Sequence, residues 1–469
     1  MRGCQALAMG ALMMLAVGVS VAQDSGQADA QASQSRAPTA EAGATMSSPQ
    51  NPPISSLDAP KLEPPMTARS FLQPGAHISQ SVDSNVTGSN GDATWTGVTR
   101  VLGSLELQRL WSRYQTSIGY IGGAAFYSYS GSSASQIHQV DADQRVSWQK
   151  GQLALQDAFT YFPEGAFGYG SYGGAGIVGS LPIGGLVGGY VGGSTFFGPG
   201  QLASIGQQPR ISNTALAQLS QSLTARSAIT LTGSYGLVDF LDNPQGYINS
   251  RQVTAQAGYN YQLNRKDQVA LVYGFQSFSY PSSVGGDFTT HLFNVLYGHR
   301  ISGRMDMVIG GGPQVTILDD PFTGSDTKWS FSGRAGVRYR FPTTGLALNY
   351  EHYNTSGSGF FAGAQSDVVR FSVGHALNRN WDMNADVGYT HNTRIQPIGV
   401  VTANSFDYLF AGAGLRRQLG RSFSAFVSYQ FNYLTFDDSL CTTGPCNTNS
   451  QRHVVLVGLD WHPHPIRLD

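Results

Sequence analysis

RQVTAQAGYNYQLN, residues 251 to 264, reads as two interleaved sets of side chains. Val253, Ala255, Ala257, Tyr259, Tyr261 and Leu263 make one set; Gln252, Thr254, Gln256, Gly258, Asn260 and Gln262 make the other. Successive side chains of a strand point to opposite sides, so strict alternation gives one apolar face and one polar face. KWSFSGRAGVRYRF (328 to 341) repeats the pattern, with Trp329, Phe331, Ala335, Val337, Tyr339 and Phe341 against Ser330, Ser332, Arg334, Arg338 and Arg340. NWDMNADVGYT (380 to 390) does so again.

Working outward from these stretches, eighteen alternating segments follow one another, the first at 75–86 and the last at 451–462. Most exceed the roughly nine to eleven residues a tilted strand needs to cross hydrocarbon, and the five or six usual in soluble sheets. The connections alternate in length. Lys150-Gly151, Asn264 to Asp267, Ser302 to Arg304, Pro342 to Gly345, Asn378 to Asn380 and Leu419 to Arg421 are tight hairpins. Between them fall Thr87 to Thr96, Glu164 to Arg210, Ser356 to Ala362, Arg394 to Val401 and Asp437 to Ser450. Short turns on one rim and longer loops on the other are the pattern of a transmembrane barrel.

Composition agrees. Charged residues are 12% of the 469-residue chain, against about 25% in a typical soluble domain. Gly (58), Phe (24) and Tyr (22) are abundant. The 28 basic and 29 acidic groups balance, so there is no electrostatic footprint for nucleic acid. At the N-terminus Arg2, the apolar run from Ala6 to Val19 and Ser20-Val21-Ala22 predict a secretory signal peptide over residues 1–22. Residues 23–70 are rich in Ala, Gln, Ser and Pro without a sustained period and read as a disordered periplasmic linker. The barrel itself is assigned to 71–469.

Aromatic pairs near segment ends, Phe126-Tyr127, Tyr161-Phe162, Phe278/Tyr280 and Phe431/Tyr433, suit the two headgroup girdles of such a wall. Hydrocarbon leaves an open sheet edge unpaired at several kcal/mol per group, so the sheet must close. From about Gly75 to Trp461 the chain therefore resembles the porin-like outer-membrane β-barrels of Gram-negative-type bacteria. The signal peptide, the long alternating strands, the alternating turns and the final HVVLVGLDW (453 to 461) carry the resemblance. It implies an antiparallel up-and-down barrel in outer-membrane lipid, delivered by the outer-membrane insertion machinery. One departure stands out: such barrels often end on an aromatic residue, whereas here HPHPIRLD follows Trp461. An even strand count puts both ends on the short-turn, periplasmic side.

If the apolar face meets lipid, the polar face lines the interior. Candidate pore-lining residues are Asp141, Asp143, Arg145, Arg300, Asp306 and Arg334, together with Arg338, Arg340, Glu351, Arg370, Asp382 and Asp386. Unpaired charges cost too much in a dry core, so water is their natural setting. Arg334, Arg338 and Arg340 share a strand and form a basic ladder for Asp382, Asp386 or Glu351 to answer. The same charges fit a transverse field that filters ions and ion pairs that brace the wall.

GGAGIVGSLPIGGLVGGYVGGSTFFGPG, residues 173 to 200, carries no charge, yet 12 of its 28 residues are Gly. Each Gly costs a helix about 1 kcal/mol relative to Ala, and Pro182 lies mid-stretch, so this is a loop rather than a spanning helix. Its apolar residues, Ile177, Leu181, Leu186, Tyr190, Phe196 and Phe197 among them, suit a constriction folded into or over the lumen. An extracellular loop and an added hairpin are the other arrangements. Cys441 and Cys446, in CTTGPC, form a disulfide candidate in an exported chain, with a metal site as the alternative.

No serine sits in G-x-S-x-G, and His299 with Ser302 or His352 beside Glu351 are neighbours in sequence with no motif behind them. His462 and His464 share a spacing compatible with metal but supply only two ligands. The sequence thus points to a passive channel for small polar solutes or saccharides, working without cofactor or energy input. A dedicated polysaccharide or oligosaccharide channel and a surface adhesion barrel are the alternatives.

Overall fold

The computed structural model describes residues 70–86, 95–128, 134–164, 207–241, 246–281, 286–320, 324–357, 359–396, 403–437 and 450–468. The expected signal peptide, almost all of the expected linker, the six Gly-rich-loop residues and both cysteines lie outside them.

The strands are β1 (Phe71–Asp83), β2 (Thr96–Leu110), β3 (Tyr114–Tyr127), β4 (Ser135–Trp148), β5 (Gly151–Glu164) and β6 (Gln207–Ser222). They continue with β7 (Ser227–Phe240), β8 (Ser250–Gln262), β9 (Asp267–Ser279), β10 (Asp287–Arg300), β11 (Met305–Asp320) and β12 (Gly324–Arg340). The last are β13 (Thr344–Thr355), β14 (Ala364–Asn378), β15 (Trp381–Arg394), β16 (Ser405–Leu419), β17 (Phe423–Phe436), β18 (Ser450–Trp461) and the short β19 (Ile466–Arg467).

Each long strand pairs antiparallel with its neighbours in sequence, and β1 pairs with β18 to close the cylinder. The eighteen segments read from alternation are thus eighteen staves of one wall. At β8 the two faces separate as the sequence predicts: Val253, Tyr259 and Tyr261 are exposed on the outside, whereas Gln252, Thr254 and Asn260 are buried on the inside. Leu271, Val295, Ile309, Phe331, Val387 and Val457 continue the exposed apolar band around the barrel. Such a surface suits acyl chains and is ill matched to water.

The closing seam uses the segment that sequence comparison leaves over. β1 runs lower than β18, since Trp461 meets Ala76. After Trp461 the chain turns through two prolines, and β19 pairs Ile466 with Leu72 and Arg467 with Phe71. Higher on the same seam Arg452 grips both carboxylate oxygens of Asp83 through Nε, at 2.8 and 2.9 Å, and again through its terminal nitrogen. Ile466 and Arg467 of HPHPIRLD are therefore part of the wall.

The β12–β13 junction departs from full-length pairing. β12 pairs with β11 along its length but with β13 only from Gly333 to Arg340. Beyond His352, β13 leaves that partner and turns inward. Asn354 then donates to Thr290 Oγ1 at 3.1 Å and Thr316 Oγ1 at 2.8 Å, on the inner faces of β10 and β11.

Candidate functional site

The inward turn of β13 delivers the β13–β14 loop, described at residues 356–357 and 359–363, into the lumen. Gly357, Gly359 and Gly363 take φ of 81°, 82° and 91°, a left-handed backbone that other residues rarely adopt. Gly359 is required on space as well: an added Cβ would sit 2.6 Å from Phe240 Cζ. These turns present Phe360 and Phe361 to the interior, 8% and 1% exposed.

The partners of the two rings come from opposite sides of the barrel. Phe360 lies 5.4 Å from Tyr247, itself stacked at 5.0 Å on Phe240 at the end of β7. On its other side it lies 5.3 Å from both Phe406 of β16 and Phe436 of β17. Strands β7 and β16 face each other across an eighteen-strand cylinder, so the loop bridges the lumen. Backbone bonds fix it: Ile248 N donates to Gly359 O at 2.8 Å, and Ile395 N to Gly363 O at 3.3 Å. Arg394 caps Phe361, its guanidinium 4.6 Å from the ring centroid.

A second apolar cluster supports the loop, in which Ala362 packs with Phe278, Tyr280, Phe288, Leu318 and Ile395. The headgroup role expected for Phe278 and Tyr280 is thereby corrected. Both are buried inside the barrel, because the loop offers them an apolar partner there. Burial, reinforced by nearby Asp287, holds the Tyr280 phenol well above its ordinary pKa. It stays protonated and donates to Ser356 O at 3.4 Å.

Along the rest of the inner face the candidate charges meet one another. Eleven of the twelve, Arg340 apart, alternate onto the face opposite the apolar band. Arg370 holds Asp386 through Nε, at 3.2 and 3.1 Å, and Nη2 at 2.7 Å, with both residues buried. Arg338 Nε donates to Asp306 Oδ1 at 3.0 Å, and Arg300 faces Asp306 from the other side. Arg334 stands in register with Glu351, and Asp382 with Arg416. The basic ladder of β12 is thus answered by its neighbours β11 and β13, while Asp382 and Asp386 find partners elsewhere. Arg340 ends β12. On β4, Asp141 accepts from Gln139 and Asp143 from Gln156, each at 2.9 Å; Arg145 follows on the same face.

The pairings of sequence neighbours considered for catalysis do not form. His352 Nδ1 lies 2.7 Å from Asp367 on the outer face, whereas Glu351 faces inward. His299 Nδ1 lies 2.6 Å from Asp267. His464 is exposed, but His462 joins His77 and Asp460 at the seam.

Sequence reading missed the inward loop, although a signal existed. DYLFAG (407 to 412) and FNYLTF (431 to 436) put large apolar or aromatic residues on both faces. Phe406, Tyr408, Phe410, Leu434 and Phe436 are the inward members, buried against the loop.

No protein-family model matches the chain, and no curated protein does. Among solved structures it is similar to OccK2 (OpdF) of Pseudomonas aeruginosa at TM-score 0.42 and 10% identity, covering 84% of this chain and 99% of that one. The outer membrane protein opdK of the same organism gives TM-score 0.41 and 9% identity, covering 84% and 99%. The FrpB iron transporter of Neisseria meningitidis gives 0.40 and 8%, covering 83% and 82%.

Proposed function

We propose that the chain is an outer-membrane channel for passive diffusion of small hydrophilic solutes, with both ends of its barrel on the periplasmic side. The supporting observation is the opposition of its two faces. A closed wall exposes Leu, Val, Phe and Tyr outward and turns Arg, Asp, Gln, Thr and Ser inward. A ladder of antiparallel pairs that closes from β1 to β18 suits a hydrocarbon setting, and the inner face offers hydrogen bonds to a solute shedding water.

In this reading the residue 356–363 loop sets the size limit, and the paired charges below it orient what passes. Arg370–Asp386 and Arg338–Asp306 are internally neutralised, so they brace the wall and still present a local dipole to a polar solute. Arg300, Arg334 and Arg145 line the same passage.

Swelling of liposomes carrying the purified chain, in sugars of graded size, tests the proposal. A smooth size cutoff supports a general pore. Uptake of one saccharide class alone transfers the function to a dedicated sugar channel, and absence of swelling removes the channel.

A further inference from the structure

We infer that His77, Asp460 and His462 form a binding site for a divalent transition-metal ion, which staples the first strand of the barrel to the last strand and its tail. Sequence distance hides the group: His77 belongs to β1, Asp460 to β18 and His462 to the turn that leads into β19. Closure brings them together, because His77 is the register partner of Asp460. One donor atom from each residue lies within 4.8 Å of the other two. His77 Nδ1 and Asp460 Oδ1 are 3.0 Å apart, near the separation of about 3.3 Å expected for two ligands of a tetrahedral ion with bonds of about 2.0–2.1 Å.

The surroundings are those of a ligand set. His77 Nε2 lies 2.9 Å from Ser104 Oγ, so a ring with its Nδ1 on the metal donates its remaining proton to that hydroxyl. Asp460 Oδ2 accepts from Arg416 Nη2 and Ser424 Oγ, each at 3.2 Å, which leaves Oδ1 to face His77. Outer partners of this kind fix the orientation of metal ligands. His462 Nε2 is buried and bonds to nothing among the described residues. The third residue of the group thus carries unused ligand capacity. Gly75 makes room for it, since a Cβ there would lie 2.9 Å from His462 Nδ1 and also collide with Ser104 Oγ.

Two imidazoles and one carboxylate select Zn²⁺, Co²⁺, Ni²⁺ or Cu²⁺ over the hard cations Mg²⁺ and Ca²⁺. Three protein ligands leave a fourth position for water. Binding puts the ion between His77 Nδ1 and Asp460 Oδ1, and the His77 ring keeps its proton on Nε2, toward Ser104. The ion adds a cross-link at the seam where the two ends of the wall meet, and this stabilises the closed cylinder by mass action.

The test uses the mature, tag-free chain in detergent micelles after chelator treatment, titrated with Co²⁺ and then with Zn²⁺. One saturable Co²⁺ site with visible tetrahedral bands, displaced by Zn²⁺, is expected. Ser104→Ala weakens it by about 10–100-fold, and His462→Ala by at least as much. His453→Ala, on the outer face, leaves it unchanged. His462 lies beyond β18, so its replacement keeps the wall, and retained heat-modifiable mobility on gels verifies the fold. Zn²⁺ raises the temperature of that mobility shift in the wild type and does not in His462→Ala. A wild type without saturable Co²⁺ bands, or a His462→Ala titration matching it, overturns the assignment and leaves a hydrogen-bonded brace only.

Discussion

Replacing Phe360 with alanine isolates what the inward loop does. The ring is 8% exposed and lies against Tyr247, Phe406 and Phe436 at centroid distances of 5.3 to 5.4 Å. Truncating a ring so enclosed costs about 3–5 kcal/mol. The remaining attachments between the loop and the wall are few. Among the described residues they include the Gly359 and Gly363 carbonyl bonds, the Tyr280 bond to Ser356, the Phe361 contacts and the Ala362 cluster. With tenfold per 1.4 kcal/mol, the ratio of docked to undocked loop falls by about 10²- to 10⁴-fold if the cost falls wholly on docking. The wall itself does not depend on this side chain, because its strands pair without the loop. Single-channel recording in planar bilayers should therefore show a larger conductance, or long openings to one, in a barrel that keeps its heat-modifiable mobility. Phe360→Ala/Phe361→Ala should hold the larger level continuously. Unchanged conductance and noise in both intact variants would falsify the constriction.

Three further outcomes follow from other parts of the lumen. Arg370→Ala or Asp386→Ala strands a buried charge and should lower stability in urea by about 3–5 kcal/mol, whereas Arg370→Met/Asp386→Leu should cost much less; equal losses in all three would contradict a bracing pair. Arg338→Glu places two acids side by side at Asp306 and should move the reversal potential in a KCl gradient toward cation selectivity, with little change in stability because both groups are partly exposed. Deleting residues 173 to 197 should raise conductance if the Gly-rich loop narrows the passage, and an unchanged value assigns the narrowing to residues 356 to 363 alone.

The wall was legible because one rule governs it. Lipid outside and polar lumen inside impose a period of two on every stave, and Gln252 to Leu263 reports that period without ambiguity. What the alternation does not encode is where the polar face ceases to be wet. At Phe406, Tyr408 and Phe410 the inward positions are aromatic and the outward ones include Asp407, the inverse of the rule. The inversion makes sense only once a loop with no periodicity of its own, SGSGFFAG (356 to 363), fills the interior beside them. Asp407 in turn is held outside by Tyr389 and His391, each at 2.7 Å. The pairing of charges was legible only in kind. Arg370 and Asp386 stand 16 residues apart on adjacent staves, and their meeting depends on a register that one sequence does not give. His77 and Asp460, 383 residues apart, are neighbours solely because the cylinder closes.

Single cysteines placed on adjacent β8 and β9 positions, in a Cys441→Ser/Cys446→Ser background, examine that cylinder most directly. A fluorophore at Val253 or Leu271 should be quenched by lipids carrying a spin label in the acyl chain and be insensitive to aqueous iodide. At Gln252 or Thr254 the order should reverse. Equal quenching by iodide at all four positions would mean that both faces meet water, and no membrane-spanning barrel would be left to conduct.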